Sequence, residues 1–164
     1  MEINVGMLIS GSLLGGTVLF AWSGVTQNLP WGFRAVGKVD SAPELADRVR
    51  RQTGDGMFFT TDGVSSLVVV RPQNYYNPAR YFGLEFLTQV AVALVLTAVL
   101  SLISPLGGGQ KLAVIGLVGL VTALAVDFQY WNWWGFSSRY SLGMASNRLL
   151  GWLLAAWALE RLVV

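Results

Sequence analysis

From Asn4 to Ser23 the chain reads NVGMLISGSLLGGTVLFAWS, without one charged side chain. Three more apolar stretches follow. One covers about Tyr81–Ile103, with Glu85 near its start as its only charge. Another covers about Lys111–Asp127, charged only at its two ends, and the last covers about Ser141–Leu159, with Arg148 near its start. A helix crosses ~30 Å of hydrocarbon with ~20 residues at ~1.5 Å each, so all four are long enough, the third only just. The chain is 54% hydrophobic and 12% charged, about half the charged share of a soluble domain, with a mean hydropathy of +0.54. One water-soluble core of this size cannot hide so much apolar surface. The expected fold is membrane all-α. Four transmembrane helices, at about 4–23, 78–104, 111–127 and 141–162, form a single membrane domain over 1–164. The first apolar run has Glu2 where a secretory signal has basic residues, and no A-x-A site follows it, so it reads as a retained helix.

Local signals set these limits. Asn77-Pro78 combines a helix cap with proline at the first helical position. Ser104-Pro105-Leu106-Gly107-Gly108-Gly109 cannot continue a helix and predicts a tight turn into the third span. Residues 24–77 form an extramembrane loop subdomain, a small helix-plus-β-hairpin cap between helices 1 and 2. Ser41-Ala42-Pro43-Glu44 fits a capping box opening a short helix to about Gln52. MFFTT and VSSLVVV then flank Asp62-Gly63, the signature of a two-residue type I′ hairpin.

Four spans joined this way put both chain ends on one side and the long loop on the other. The block YWNWWGF, residues 130–136, then reads as the connection between the third and fourth helices, on the loop side. Trp22, Trp31, Tyr130, Trp131, Trp133, Trp134 and Phe136 gather there, while the opposite rim has only Trp157 nearby. Indole and phenol rings favour the headgroup level, where an apolar body and a polar tip are both accommodated. An aromatic belt accounts for them; a docking surface for a protein, quinone, pigment or lipid is the functional alternative.

Chemistry is narrowed by what is missing. Without histidine or cysteine the chain has no thiolate, no disulfide, no commonest metal ligand and no usual neutral-pH base. A net charge of +2 does not suggest nucleic acid. Ionisable residues fall near helix ends, so a polar path across the bilayer is not expected. Asp127 and Arg148 are expected to form a structural ion pair, with Glu85 as a possible third member. Gly11 and Gly15 form a GxxxG pattern, and Gly116 with Gly119 thins one face of the third helix. Small residues of this kind let helix backbones pack closely in lipid.

The block resembles one found in a family of small bacterial membrane proteins with four spans and one extended loop after the first. The resemblance is carried by Gly15-Gly16, Phe20-Ala21-Trp22, Leu29-Pro30-Trp31, Glu44 to Val49, Gly56-Met57-Phe58-Phe59, the YWNWWGF block and Gly151-Trp152. The chain departs from the pattern where Asn147-Arg148 stands in place of an acid early in the last helix. The resemblance implies topology and no activity.

Much contact surface and no chemistry of its own suggest a non-catalytic accessory or scaffold subunit of a larger bacterial membrane complex, respiratory or photosynthetic. Its partners would be other membrane subunits and lipids. It would carry no cofactor of its own, with contact to lipid, quinone, carotenoid or a pigment held by another subunit. The alternative is a small transporter or a lipid- or quinone-binding membrane protein. Arg34, Lys38, Arg71, Arg80 and Arg139 on the loop side would by count place the loop in the cytoplasm. The acids among them, the resemblance and the structured aromatic loop favour a bacterial inner-membrane protein with cytoplasmic termini and residues 24–80 outside.

Overall fold

Helices dominate because the apolar runs contain no interior proline, and a backbone in lipid must satisfy its own hydrogen bonds. In a computed structural model, residues 4–30, 42–54, 56–60, 66–72, 75 and 77–163 are described. The elements are α1 (Val5–Thr26), α2 (Ala42–Thr53), strands β1 (Gly56–Thr60) and β2 (Ser66–Val70), α3 (Pro78–Leu102), α4 (Gly108–Trp134) and α5 (Ser138–Leu162). Among the described residues, α1, α3 and α4 are each long and apolar enough to cross a membrane. The 25 residues of α5 are more polar, with Asn147 and Arg148 inside their length.

The chain divides into two units, Met1–Val36 with Phe82–Val164, and Gly37–Tyr81. In the first, neighbouring helices run antiparallel. Gly11, Gly15 and Gly16 of α1 face Thr97, Ala93 and Val90 of α3, and Gly151 of α5 faces Trp22 and Leu19. Along α4 and α5, Lys111 meets Glu160, Gly119 meets Leu149, and Asp127 meets Arg148. The core is Leu19, Ala93, Leu96, Leu100, Ile115, Ala155, Ala156 and Leu159. Leucines such as Leu13, Leu87, Leu117 and Leu142 stay more than half exposed on the outer faces, as lipid contact requires.

Several boundaries differ from the sequence expectation. The largest difference is in α4, which begins at Gly108 and does not stop at Asp127. It passes through a π-helical segment, Ala123–Asp127, and continues through Phe128–Trp134. The aromatic block is therefore mostly the end of a helix and not a connection. Nothing breaks the helix before Gly135, whose φ of 68° is the left-handed closure that glycine accepts without strain. Helix α1 runs on to Thr26, three residues past the expected end at Ser23. Helix α5 starts at Ser138, capped by Ser137 Oγ accepting from Tyr140 N. Helix α3 stops at Leu102, two residues before the expected end, since residues 103–105 are already turn.

The second unit contains α2 and an antiparallel hairpin. Ser41, the expected cap of α2, lies outside the described residues, and Glu44 occupies the first turn. The strands pair Gly56 with Val70 and Thr60 with Ser66. A two-residue turn on Asp62-Gly63 would pair Thr60 with Ser65 instead. The register is thus shifted by one from the expected type I′ hairpin, and residues 62 and 63 themselves lie outside the described residues. Tyr75 is stacked by two guanidinium groups, Arg80 at 4.7 Å and Arg71 at 5.2 Å from the ring centroid.

Candidate functional site

One group of polar side chains within the helical unit gathers towards the end where α1 finishes and α3 begins. The indole N–H of Trp22 donates to the carbonyl of Asn147 at 2.9 Å, and Thr26 Oγ1 donates to Asn147 Oδ1 at 2.6 Å. Asn147 thus clamps α1 onto α5. One residue on, Arg148 pairs with Asp127, whose side chain is only 6% exposed, and so ties α5 to α4 at the last residue of the π-helical segment. Glu85, which the sequence allowed as a third member of this pair, turns elsewhere. Its Oε1 accepts from Ser23 Oγ at 3.2 Å and from Gln89 Nε2 at 2.8 Å, bonding α3 to α1. Ser23 lies at the end of α1 and Glu85 in the first half of α3, while Asn147 and Arg148 lie well inside α5, and the antiparallel packing brings them to one level.

A cavity of about 280 Å³ opens among them, lined by Ser23, Gln27, Glu85, Gln89, Asn147 and Arg148, with Trp22 and Trp152. A second cleft, of about 370 Å³, lies between the π-helical part of α4 and the start of α5. Leu120, Leu124, Phe128, Trp131 and Leu142 make it almost wholly apolar. Its wall includes Ser141, whose hydroxyl is buried and has no hydrogen-bond partner among the described residues. Trp131 Nε1 donates to Ser138 Oγ at 3.0 Å beside it. A buried hydroxyl left unpaired costs ~1–3 kcal/mol.

The aromatic residues singled out in the sequence separate into two roles. Trp22 is a packing and clamping residue: a methyl group on Gly151 would sit 2.8 Å from its ring. Tyr130, Trp131 and Trp133 lie on the last turns of α4 and are 45%, 42% and 72% exposed. Phe136, after the helix, joins Tyr130 and Tyr140 in a run of ring contacts at 5.6 and 5.4 Å between centroids. Trp134 is half-buried, and Trp31 lies outside the described residues.

Of the packing glycines, Gly11 and Gly15 meet α3 directly, and a methyl group on Gly119 would sit only 2.8 Å from Leu149, closer than packing allows. Gly116 is different: a methyl there would lie 3.7 Å from Leu153, ordinary contact. Close approach does not require glycine at that position. Gly16 and Gly151, absent from the sequence expectation as packing sites, are among the tightest. The spacing of Gly16 behind Gly15 was the available signal.

Asn147 and the Lys111–Glu160 pair were also missed as contacts. Lys111 Nζ reaches the two Glu160 carboxylate oxygens at 3.1 and 2.9 Å and closes the opposite end of α4 on α5. Among the described residues no group of three or more metal-ligating side chains gathers. Compared with family models, curated proteins and solved structures, the chain matches none of them.

Proposed function

We propose that this protein crosses the bilayer four times and serves as a non-catalytic accessory subunit of a larger bacterial membrane complex, respiratory or photosynthetic. Its partner subunit would be held at the aromatic end of α4. The observation that carries this reading is the exposure of Trp133, 72% accessible on the terminal turn of α4, next to the exposed rings of Tyr130 and Trp131. Rings presented together at headgroup depth are the residue types that anchor interfaces. They also suit stacking on a quinone, carotenoid or pigment carried by a neighbouring subunit. In support of a fourth span, α5 matches α3 in length and turns its two internal polar residues onto α1 and α4.

Purification in mild detergent tests the role. The wild-type protein is expected to co-elute with a membrane subunit, and Trp133→Ala to release it with its own melting temperature unchanged. A wild-type protein that always elutes alone removes the reading.

Orientation has its own measurement, since the chain has no native cysteine. With residues 24–80 outside the cytoplasm, Glu44→Cys on α2 is expected to react with an impermeant maleimide in intact cells. Protection of that cysteine until the cells are opened would reverse the assignment.

A second reading, a lipid- or quinone-binding membrane protein, draws on the apolar cleft beside the π-helical segment and its unpaired Ser141 hydroxyl. π-Helical turns inside α-helices recur at functional sites.

A further inference from the structure

The polar cavity at the α1–α3–α5 junction holds a carboxyl group that, among the described residues, no cation bonds. Two ionisable side chains line it, Glu85 and Arg148. The charge of Arg148 is matched by Asp127. Glu85 receives hydrogen bonds from Ser23 and Gln89, both neutral, and among the described residues it has no cationic partner. A carboxylate set within the helices of a membrane protein, facing a cavity and lacking a cation, marks a place for one.

The rest of the lining says which kind of cation. Trp22 and Trp152 contribute indole rings, Leu19, Val92 and Met144 contribute apolar surface, and Gln27 and Gln89 contribute side-chain amides. A small inorganic ion would want several hard oxygen ligands. Indole rings and a single carboxylate instead suit an alkylammonium group, attracted both by charge and by the ring faces. The cavity also lies against the last turn of α1, where Ser23 and Gln27 stand, and the partial negative charge at a helix C-terminus adds to the attraction. A volume of about 280 Å³ accommodates an ammonium head with a few carbons and leaves a longer tail outside.

We infer that this cavity binds the ammonium head of an amphiphile, with Glu85 as its counter-ion. The head belongs either to an aminophospholipid or to a free alkylammonium compound. The site uses other residues than the docking surface of α4, so the loss of either leaves the other standing.

The test uses the full chain in dodecyl maltoside, an uncharged detergent. Calorimetric titration with octyltrimethylammonium is expected to saturate, with octanol giving no binding. Glu85→Gln keeps the hydrogen-bonding shape and is expected to weaken binding at least about tenfold. Thr88→Trp, at the exposed edge of the cavity, is expected to block the site without touching the carboxylate. It therefore serves as the second variant should Glu85→Gln fail to fold. Native mass spectrometry from an equal mixture of phosphatidylethanolamine and phosphatidylglycerol separates the sources. Selective retention of phosphatidylethanolamine that is lost in both variants identifies a lipid head. Saturable binding of the free compound without lipid retention identifies a soluble amphiphile. Absence of both in the wild type, or binding equally strong in both variants, overturns the inference.

Discussion

Gly16→Leu is expected to separate α1 from α3 and cost more than ~3 kcal/mol, at or beyond the upper end of ordinary overpacking. The reason is what the new side chain would meet. Even a methyl group at Gly16 would sit 2.7 Å from Val90 Cα and 3.0 Å from Val90 N. Backbone atoms cannot rotate away as a side chain can, so the two helices must move apart. In lipid that motion is not opposed by hydrophobic burial, because the tails are as apolar as the side chains. It forfeits the close packing that holds the pair together. Gly11 gives a useful contrast: its methyl would meet only the side chain of Thr97, at 2.5 Å, so Gly11→Ala should cost less than Gly16→Ala. Gly24→Ala supplies the control, since nothing lies within 4 Å of that position. As a glycine in the last turn of α1 it should gain no more than ~0.5 kcal/mol when replaced by alanine. Unfolding in mixed micelles, followed by tryptophan fluorescence, reads all four variants. Equal midpoints for Gly16→Leu and wild type would show that α1 and α3 are not packed through this face.

The sequence was most legible where lipid makes the rules simple. Long apolar runs located α1 and α3 well, and Gly11 and Gly15 marked a close-packing face of α1, which meets α3. Legibility failed where a charge had two meanings. Asp127 read as the point at which the third helix leaves the membrane. In the folded chain Arg148 neutralises it, and a neutralised acid does not end a helix. The helix therefore continues into the aromatic block until Gly135. The π-helical segment that ends at Asp127 had no sequence signal, because one extra residue in a turn leaves an apolar pattern like ALAV almost unchanged. Glu85 was ambiguous for the same reason as Asp127. Its distance along the chain from Arg148 says nothing about which carboxylate the guanidinium takes; the packing of α4 on α5 decides it.

Asn147 shows a related limit. Polarity within a span lowers its apparent fitness for the membrane, and α5 is accordingly the least apolar of the long helices. Yet its asparagine accepts from Trp22 and Thr26 on α1 while the next residue binds α4. Polar groups mark α5 as the helix with partners on two sides, a fact that depends on three other segments and is invisible within its own.

The Asp127–Arg148 pair offers the second large effect. Asp127→Leu is expected to destabilise the protein by ~3–5 kcal/mol, the cost of leaving a partly buried charge without its partner. The side chain of Arg148 is 25% exposed, so part of its charge can turn towards the polar cavity it lines, and the lower part of that range is the expectation. Arg148→Met alone should cost about as much, because it strands a carboxylate whose side chain is 6% exposed. The decisive variant removes both charges. Asp127→Leu with Arg148→Met exchanges a charged pair for apolar groups of similar bulk, and such replacements are often neutral or stabilising. The double variant is therefore expected to recover most of the loss, a coupling of at least ~2 kcal/mol, within the range seen for residues in contact. Mixed-micelle unfolding of the four proteins completes the cycle. If the two single losses simply add in the double variant, Asp127 and Arg148 do not hold α4 to α5 together. The π-helical turn would then need another reason for directing Asp127 inward.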